Sequence, residues 1–398
     1  MLKREQYIEK IRPFYNETSL IKIIYGLRRS GKSVILKQIM QELIEKGVNE
    51  ENIIYINFES FDFDFIKTAK DLDKYIKEQT KNKEIYYVLI DEVQKVDEFE
   101  KAINSLRVTD KYSIFITGSN SRMTFIELST DLSGRYVSFR VNPLTFKETA
   151  EFTQNTNYEK LLFDIFKWGT LPQRFTFKDE MAKINYITDV YNSIILKDVI
   201  ERMGIKDITG FNKILQYLLE TEGRKFSSNN VLEYLKINYK EISTGTLYTY
   251  LEALCSTFIM NKIYRYDIKG KNVLKTLNKY YVSDLGIKHI KQNSRDLNYG
   301  INLENIVFNE LLAKNYDVYI GKTEKGEIDF IAIKNGEKKY IQVCYELKEE
   351  KTIKREFKVF DKLEEDSFKC VISMDKEDYS REGIKHINIY DFLLGNIF

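Results

Sequence analysis

Eight consecutive residues constrain this chain more than any others: Gly26-Leu27-Arg28-Arg29-Ser30-Gly31-Lys32-Ser33. The apolar run Leu20-Ile21-Lys22-Ile23-Ile24-Tyr25 precedes them. Val34-Ile35-Leu36-Lys37-Gln38-Ile39-Met40 follows, with apolar residues at helical spacing. Strand, G-x-x-x-x-G-K-S, helix is the phosphate-binding P-loop in the setting it requires. Gly26 and Gly31 permit backbone angles that turn successive N–H groups into one concavity. The helix beginning near Lys32 adds the positive end of its dipole. The pattern predicts a nucleoside triphosphate site lined by Gly26, Arg28, Arg29, Ser30, Gly31, Lys32, Ser33 and Val34. Lys32 is expected on the β- and γ-phosphates and the Ser33 hydroxyl on Mg²⁺. A glycine-rich turn before an ordinary helix is the competing reading, and all eight positions and both flanks weigh against it.

The rest of such a site should come from later strand ends. Ile85-Tyr86-Tyr87-Val88-Leu89-Ile90 closes on Asp91-Glu92, and a buried parallel strand would deliver both carboxylates to the carboxyl edge of the sheet. Asp91 is expected to hold Mg²⁺ and Glu92 to polarise an attacking water, which favours hydrolysis over transfer to a second substrate. Tyr112-Ser113-Ile114-Phe115-Ile116-Thr117 runs into Gly118-Ser119-Asn120-Ser121. Asn120, with Ser119 next in order, is expected to touch the γ-phosphate and position the water. A plain Gly-Ser-Asn turn is the alternative. Beyond it, Gly134-Arg135 could present an arginine to a neighbouring subunit's nucleotide, or simply pair locally.

Size and composition bound what this site can serve. The 398 residues allow two or three domains, and 43% hydrophobic with 31% charged residues describes a globular chain. A formal net charge of +2 means that a nucleic-acid surface would have to come from local clusters. Cys255, Cys344 and Cys370 are far apart, as are the two histidines, so neither a disulfide framework nor a zinc site is expected. The charged start (Lys3, Arg4, Glu5, Glu9, Lys10) is not a signal-peptide core, and no uncharged apolar run reaches spanning length. A cytoplasmic protein without a membrane partner is expected.

Four strings carry a family resemblance: Arg28-Arg29 within the P-loop, Asp91-Glu92-Val93-Gln94, Thr117-Gly118-Ser119-Asn120 and Gly134-Arg135. Together they resemble prokaryotic AAA+ ATPases that carry a C-terminal domain of unknown function related to restriction-endonuclease folds. The resemblance spans nearly the whole chain. It implies an α/β architecture with an AAA+ parallel-sheet domain over 1–146, a helical lid over 147–204 and a restriction-endonuclease-like domain over 291–398, and the order of elements between them predicts a winged-helix region over 205–290. It also implies ATP as ligand and a homo-oligomer in which Arg135 acts in trans. No guanine-reading N-K-x-D string occurs in the first half, which also favours ATP.

The pattern after residue 205 supports those boundaries. Helical segments at Phe211–Glu220, Ser227–Leu235 and Thr246–Leu254 precede two extended segments separated by Asp267-Ile268-Lys269-Gly270-Lys271. That is the order of a winged helix. Thr246, Tyr248, Thr249, Tyr250, Lys269 and Lys271 are its candidate contacts to double-stranded DNA. A protein-contact role is the alternative, because the third helix is not basic.

From residue 301 the order is helix, three strands, helix, strand, as in restriction-type nucleases. The resemblance implies a metal on Glu304, Asp329 and Gln342, with Glu327 nearby. Where an active member has Glu-x-Lys, this chain has Gln342-Val343-Cys344, and a cysteine supplies no positive charge. A degenerate domain kept for binding or assembly is expected, and the rival reading is an ATP-dependent nuclease. A further rival for the whole chain is a slow nucleotide switch that scaffolds protein partners.

Overall fold

The computed structural model describes residues 2–396 apart from 83, 120–133, 293–296, 324–325, 362, 364–366 and 382. Two compact units divide the chain: Met1–Asn142 with Ser256–Phe258, and Pro143–Cys255 with Ile259–Phe398.

The first unit is built on strands β1 (Ile21–Tyr25), β2 (Ile53–Asn57), β3 (Tyr86–Asp91), β4 (Tyr112–Gly118) and β5 (Tyr136–Arg140). All pairs are parallel, in the order β2-β3-β4-β1-β5. Four of its helices are α1 (Glu5–Ile11), α2 (Lys32–Glu45), α3 (Ala69–Gln79) and α4 (Phe99–Arg107). Strand side chains alternate between two cores. Ile23, Val88, Ile90, Ile114 and Ile116 pack with Leu72, Ile76, Ile103 and Leu106 of α3 and α4. Ile24, Tyr87, Leu89 and Phe115 pack with Ile8, Ile11, Ile35 and Ile39 of α1 and α2. Both faces of the sheet are covered, so its strands read as unbroken apolar runs rather than alternating ones.

The second unit opens with α5 (Phe146–Thr153), α6 (Tyr158–Trp168) and α7 (Glu180–Ile194), the last continuing as a π-helical stretch Ile195–Arg202. Helices α8 (Ile208–Glu220), α9 (Ser228–Asn238) and α10 (Thr244–Ser256) follow, then β6 (Met260–Asp267) and β7 (Asn272–Val282). The remaining elements are α11 (Leu285–Lys291), α12 (Tyr299–Ala313), β8 (Asp317–Lys322), β9 (Glu327–Lys334), β10 (Glu337–Val343), α13 (Glu350–Lys358), β11 (Phe368–Ser373), β12 (Ile384–Asn388) and α14 (Ile389–Leu394).

All seven strands of this unit form one mixed sheet, β12-β11-β10-β9-β8-β6-β7. The antiparallel hairpin β6–β7 is therefore not a free wing. Its first strand pairs in parallel with β8, Arg265 opposite Ile320 and Asp267 opposite Lys322. Expected divisions at 204/205 and 290/291 both fall inside this one unit. On α10, Leu247, Tyr250, Leu251 and Leu254 form the buried stripe, as spacing i, i+3, i+4, i+7 requires. Tyr250, read from sequence as an outward contact, instead packs on Phe211 with ring centroids 6.0 Å apart. Tyr248 and Thr249 remain exposed.

Candidate nucleotide site and its family

The loop after β1 is shaped by two glycines that cannot be replaced cheaply. Gly26 has φ +145°, and a Cβ there would lie 2.1 Å from the carbonyl oxygen of Val141, just beyond β5. Gly31, at φ +100°, caps α2 without a side-chain hydrogen bond. The first N–H groups of α2 therefore meet no capping side chain, which is the arrangement an anion needs. Arg29 also has a positive φ, 65°, and is exposed. Lys32 is 5% exposed and folds its ammonium onto the loop, donating to the Gly26 and Leu27 carbonyls at 3.1 Å each.

An arginine not singled out from sequence holds this loop from outside. Arg4 is buried and donates from Nη1 to the Ser30 carbonyl at 2.8 Å and the Asn142 carbonyl at 3.1 Å. Its backbone N–H donates to Gln38 Oε1 on α2 at 3.0 Å. The lead-in segment thus ties the P-loop to its helix and to the chain after β5. Among the charged residues of the first ten, nothing in sequence marks this one.

Strand order brings the remaining groups to the same edge, since β4 lies between β1 and β3. Asp91 ends β3 at 1% exposure. Burial raises its pKa, while hydrogen bonds from the Ser33 and Thr117 hydroxyls and the charge of Lys32 oppose the shift. Thr117 on β4 donates to Asp91 Oδ1 and accepts from the Glu92 N–H at 3.0 Å. One hydroxyl thereby fixes both acidic residues, a role the sequence reading did not assign. Glu92 adopts a left-handed conformation (φ 57°), and its carboxylate accepts from Gln94 Nε2 at 2.6 Å. Ser119, one residue past β4, is 1% exposed, and its buried hydroxyl makes no hydrogen bond among the described residues. Asn120 lies outside the described residues.

Arg135 is placed differently. It precedes β5, and its carbonyl accepts from the Ile21 N–H at 3.0 Å, at the opening of β1. The P-loop follows the other end of that strand, roughly 15 Å away at about 3.3 Å per residue. Its exposed side chain reaches Asn104 Oδ1 at 3.4 Å and not its own P-loop.

Residues 18–150 match the family model of an AAA domain. Residues 159–296 match a domain of unknown function (DUF8612), and residues 299–392 another (DUF4143). Over 401 aligned residues the chain is 37% identical to an uncharacterized protein of Haemophilus influenzae, covering 99% of each. The chain belongs to this family of AAA-domain proteins. An uncharacterized protein of Methanocaldococcus jannaschii is 31% identical over 388 residues, 93% of this chain and 85% of the relative. AMPPCP-bound DnaA from Aquifex aeolicus aligns at TM-score 0.31 and 16% identity, over 63% of this chain and 87% of DnaA. The Orc1 protein of Aeropyrum pernix in complex with DNA aligns at TM-score 0.28 and 12% identity, over 73% and 92%.

In the AAA domain the residues fit a magnesium nucleotide on their own chemistry. Asp91 is a buried carboxylate with a depressed tendency to ionise, the Ser33 hydroxyl touches it, and the Gly26 cradle is too tight for any side chain. In the DUF4143 region, Glu304 sits on α12, Asp329 on β9 and Gln342 on β10. Gln342 Oε1 accepts the Asp329 N–H at 3.2 Å, and its Nε2 donates to Glu356 at 2.8 Å.

Proposed function

We propose that the protein binds and hydrolyses Mg-ATP and transmits the change to its second unit. The observation that carries this reading is the joint placement of Lys32, Ser33, Asp91, Glu92 and Thr117 at one sheet edge. Lys32 would exchange its two carbonyl partners for the β- and γ-phosphates, and the first turn of α2 would hold their remaining charge. Ser33 and Asp91 would hold Mg²⁺, which neutralises charge on those phosphates. Glu92, released from Gln94, is the group positioned to orient water. The unpartnered Ser119 hydroxyl supports a contact at the γ-phosphate, beside the role assigned to Asn120. Arg135 would serve a neighbour's nucleotide, which makes the active form a homo-oligomer, and the helices of residues 146–202 are assigned as a lid.

Duplex DNA is the proposed effector. Its contacts would be Thr246, Tyr248 and Thr249 on α10 and the exposed hairpin tip with Lys269 and Lys271. The deciding experiment is steady-state ATP hydrolysis, with and without duplex DNA, for the native protein and Glu92→Gln. Turnover stimulated by DNA and reduced at least 100-fold in Glu92→Gln is expected, in line with the usual worth of a positioned base. Hydrolysis indifferent to DNA would redirect the effector role to a protein partner. Turnover no higher than that of the variant would leave a nucleotide switch.

A further inference from the structure

Lys279 lies on β7 and is 5% exposed. Its ammonium is 3.6 Å from Glu304 Oε1 and 3.9 Å from Glu327 Oε2. Glu304, Asp329 and Glu327 all act on it electrostatically, against the cost of burying the charge. Two residues along the same face of β7, the Tyr281 hydroxyl donates to Glu304 Oε1. Asp329 Oδ2 accepts the Val343 N–H at 2.9 Å. Lys225 and Arg265 flank Glu327 at 3.1 and 3.4 Å, and Arg355 Nε donates to Glu356 at 2.9 Å.

We propose that the Lys279 ammonium, paired with Glu304 and Glu327, takes the place of a metal cation in this carboxylate cluster, which is thereby a closed charge lock joining β7 to α12 and β9. Three observations carry it. Glu304, Glu327 and Glu356 each face a lysine or arginine, which leaves Asp329 as the one carboxylate of the cluster without an ion pair among the described residues and little net charge to draw in a divalent ion. One oxygen of each residue in the implied metal set already accepts from the protein, Glu304 Oε1 from Tyr281, Asp329 Oδ2 from Val343 and Gln342 Oε1 from Asp329, whereas a hard cation needs several free ones at about 2.0–2.6 Å. Among the described residues, no group of three or more His, Cys, Asp or Glu side chains could hold a metal ion. A lysine supplied by a hairpin strand some fifty residues from the β9 carboxylates brings the positive charge that the buried Cys344 cannot supply.

The proposal is independent of the nucleotide site and is tested on the full chain in two ways. Electron paramagnetic resonance would measure Mn²⁺ uptake by the native protein and by Asp329→Asn or Glu304→Gln. Equal uptake is expected, because the cluster takes none. One extra equivalent bound by the native protein would overturn the lock. Thermal unfolding of Lys279→Met, Glu304→Gln and the double variant forms the second test. Lys279→Met should melt several degrees lower, with much of that loss recovered when Glu304→Gln is added. A Lys279→Met protein melting like the native one would also overturn the proposal. Should Lys279→Met fail to fold, the manganese comparison decides alone.

Discussion

The Phe146 N–H donates to Glu310 Oε1 at 2.6 Å within the second unit. Burial pushes that carboxyl up to about 7, with the Phe146 bond and Lys314 opposing and Glu148 assisting. The consequence for stability has a definite sign. Between the ordinary glutamate value near 4.5 and about 7, the folded chain keeps a proton that the unfolded chain has lost. Stability therefore falls as pH rises through that window, and the cost is fully present above it. It is at most on the order of 3 kcal/mol. Glu310→Gln keeps an acceptor for Phe146 and removes the charge. It should melt above the native protein at pH 8, with the difference vanishing by pH 4. Calorimetry across that range checks it, and a difference that grew toward acid would refute the assignment. Asp91 is also raised by burial, yet hydroxyls and a lysine surround it. The same desolvation is a plain stability cost at Glu310, whereas at Asp91 the proposed Mg²⁺ would offset it.

Hairpin β6–β7 shows what an element can mean to its neighbours. A chain ending at residue 292 would contain α8, α9, α10 and the whole hairpin, yet β6 would lose its partner β8. Lys279 would also lose Glu304 and Glu327, and a buried charge left without its partner costs about 3–5 kcal/mol. With a bare strand edge besides, the fragment should aggregate, and soluble yield and light scattering compared with the full chain would show it. A monodisperse fragment would contradict this reading of the sheet. The same element marks the limit of what sequence could tell. β1, β3 and β4 were legible because burial on both faces leaves a continuous apolar run, and the P-loop because its glycines and lysine have one physical use. The pairing of β6 with β8 joins residues 55 apart, Arg265 with Ile320, and leaves no local trace. Lys279 was invisible for the same reason, since its partners lie on other elements. Tyr250 misled because an aromatic hydroxyl suits a groove and a core alike, and only the stripe with Leu247 and Leu251 decides.

For the whole molecule, the distance between Arg135 and the P-loop of its own chain matters most. An arginine at the opening edge of the sheet cannot serve a nucleotide at the carboxyl edge of the same sheet. If it acts, it acts on a neighbour. Arg135→Ala should then lose about 10³-fold or more in turnover while still binding ATP. Mixing it with Glu92→Gln should restore activity, because an intact Glu92 site can face an intact Arg135. Two inactive variants that stay inactive when mixed would confine Arg135 to its local contact with Asn104.

If Arg135 serves a neighbour, each subunit gives from one edge and receives at the other, and copies joined in this way would stack head to tail. Such an assembly has a direction. An open row always keeps a nucleotide at one terminus that no arginine reaches and an arginine at the other with nothing to do. Closing the row into a ring removes both idle ends at once, so the last subunit to join would change the output of the first.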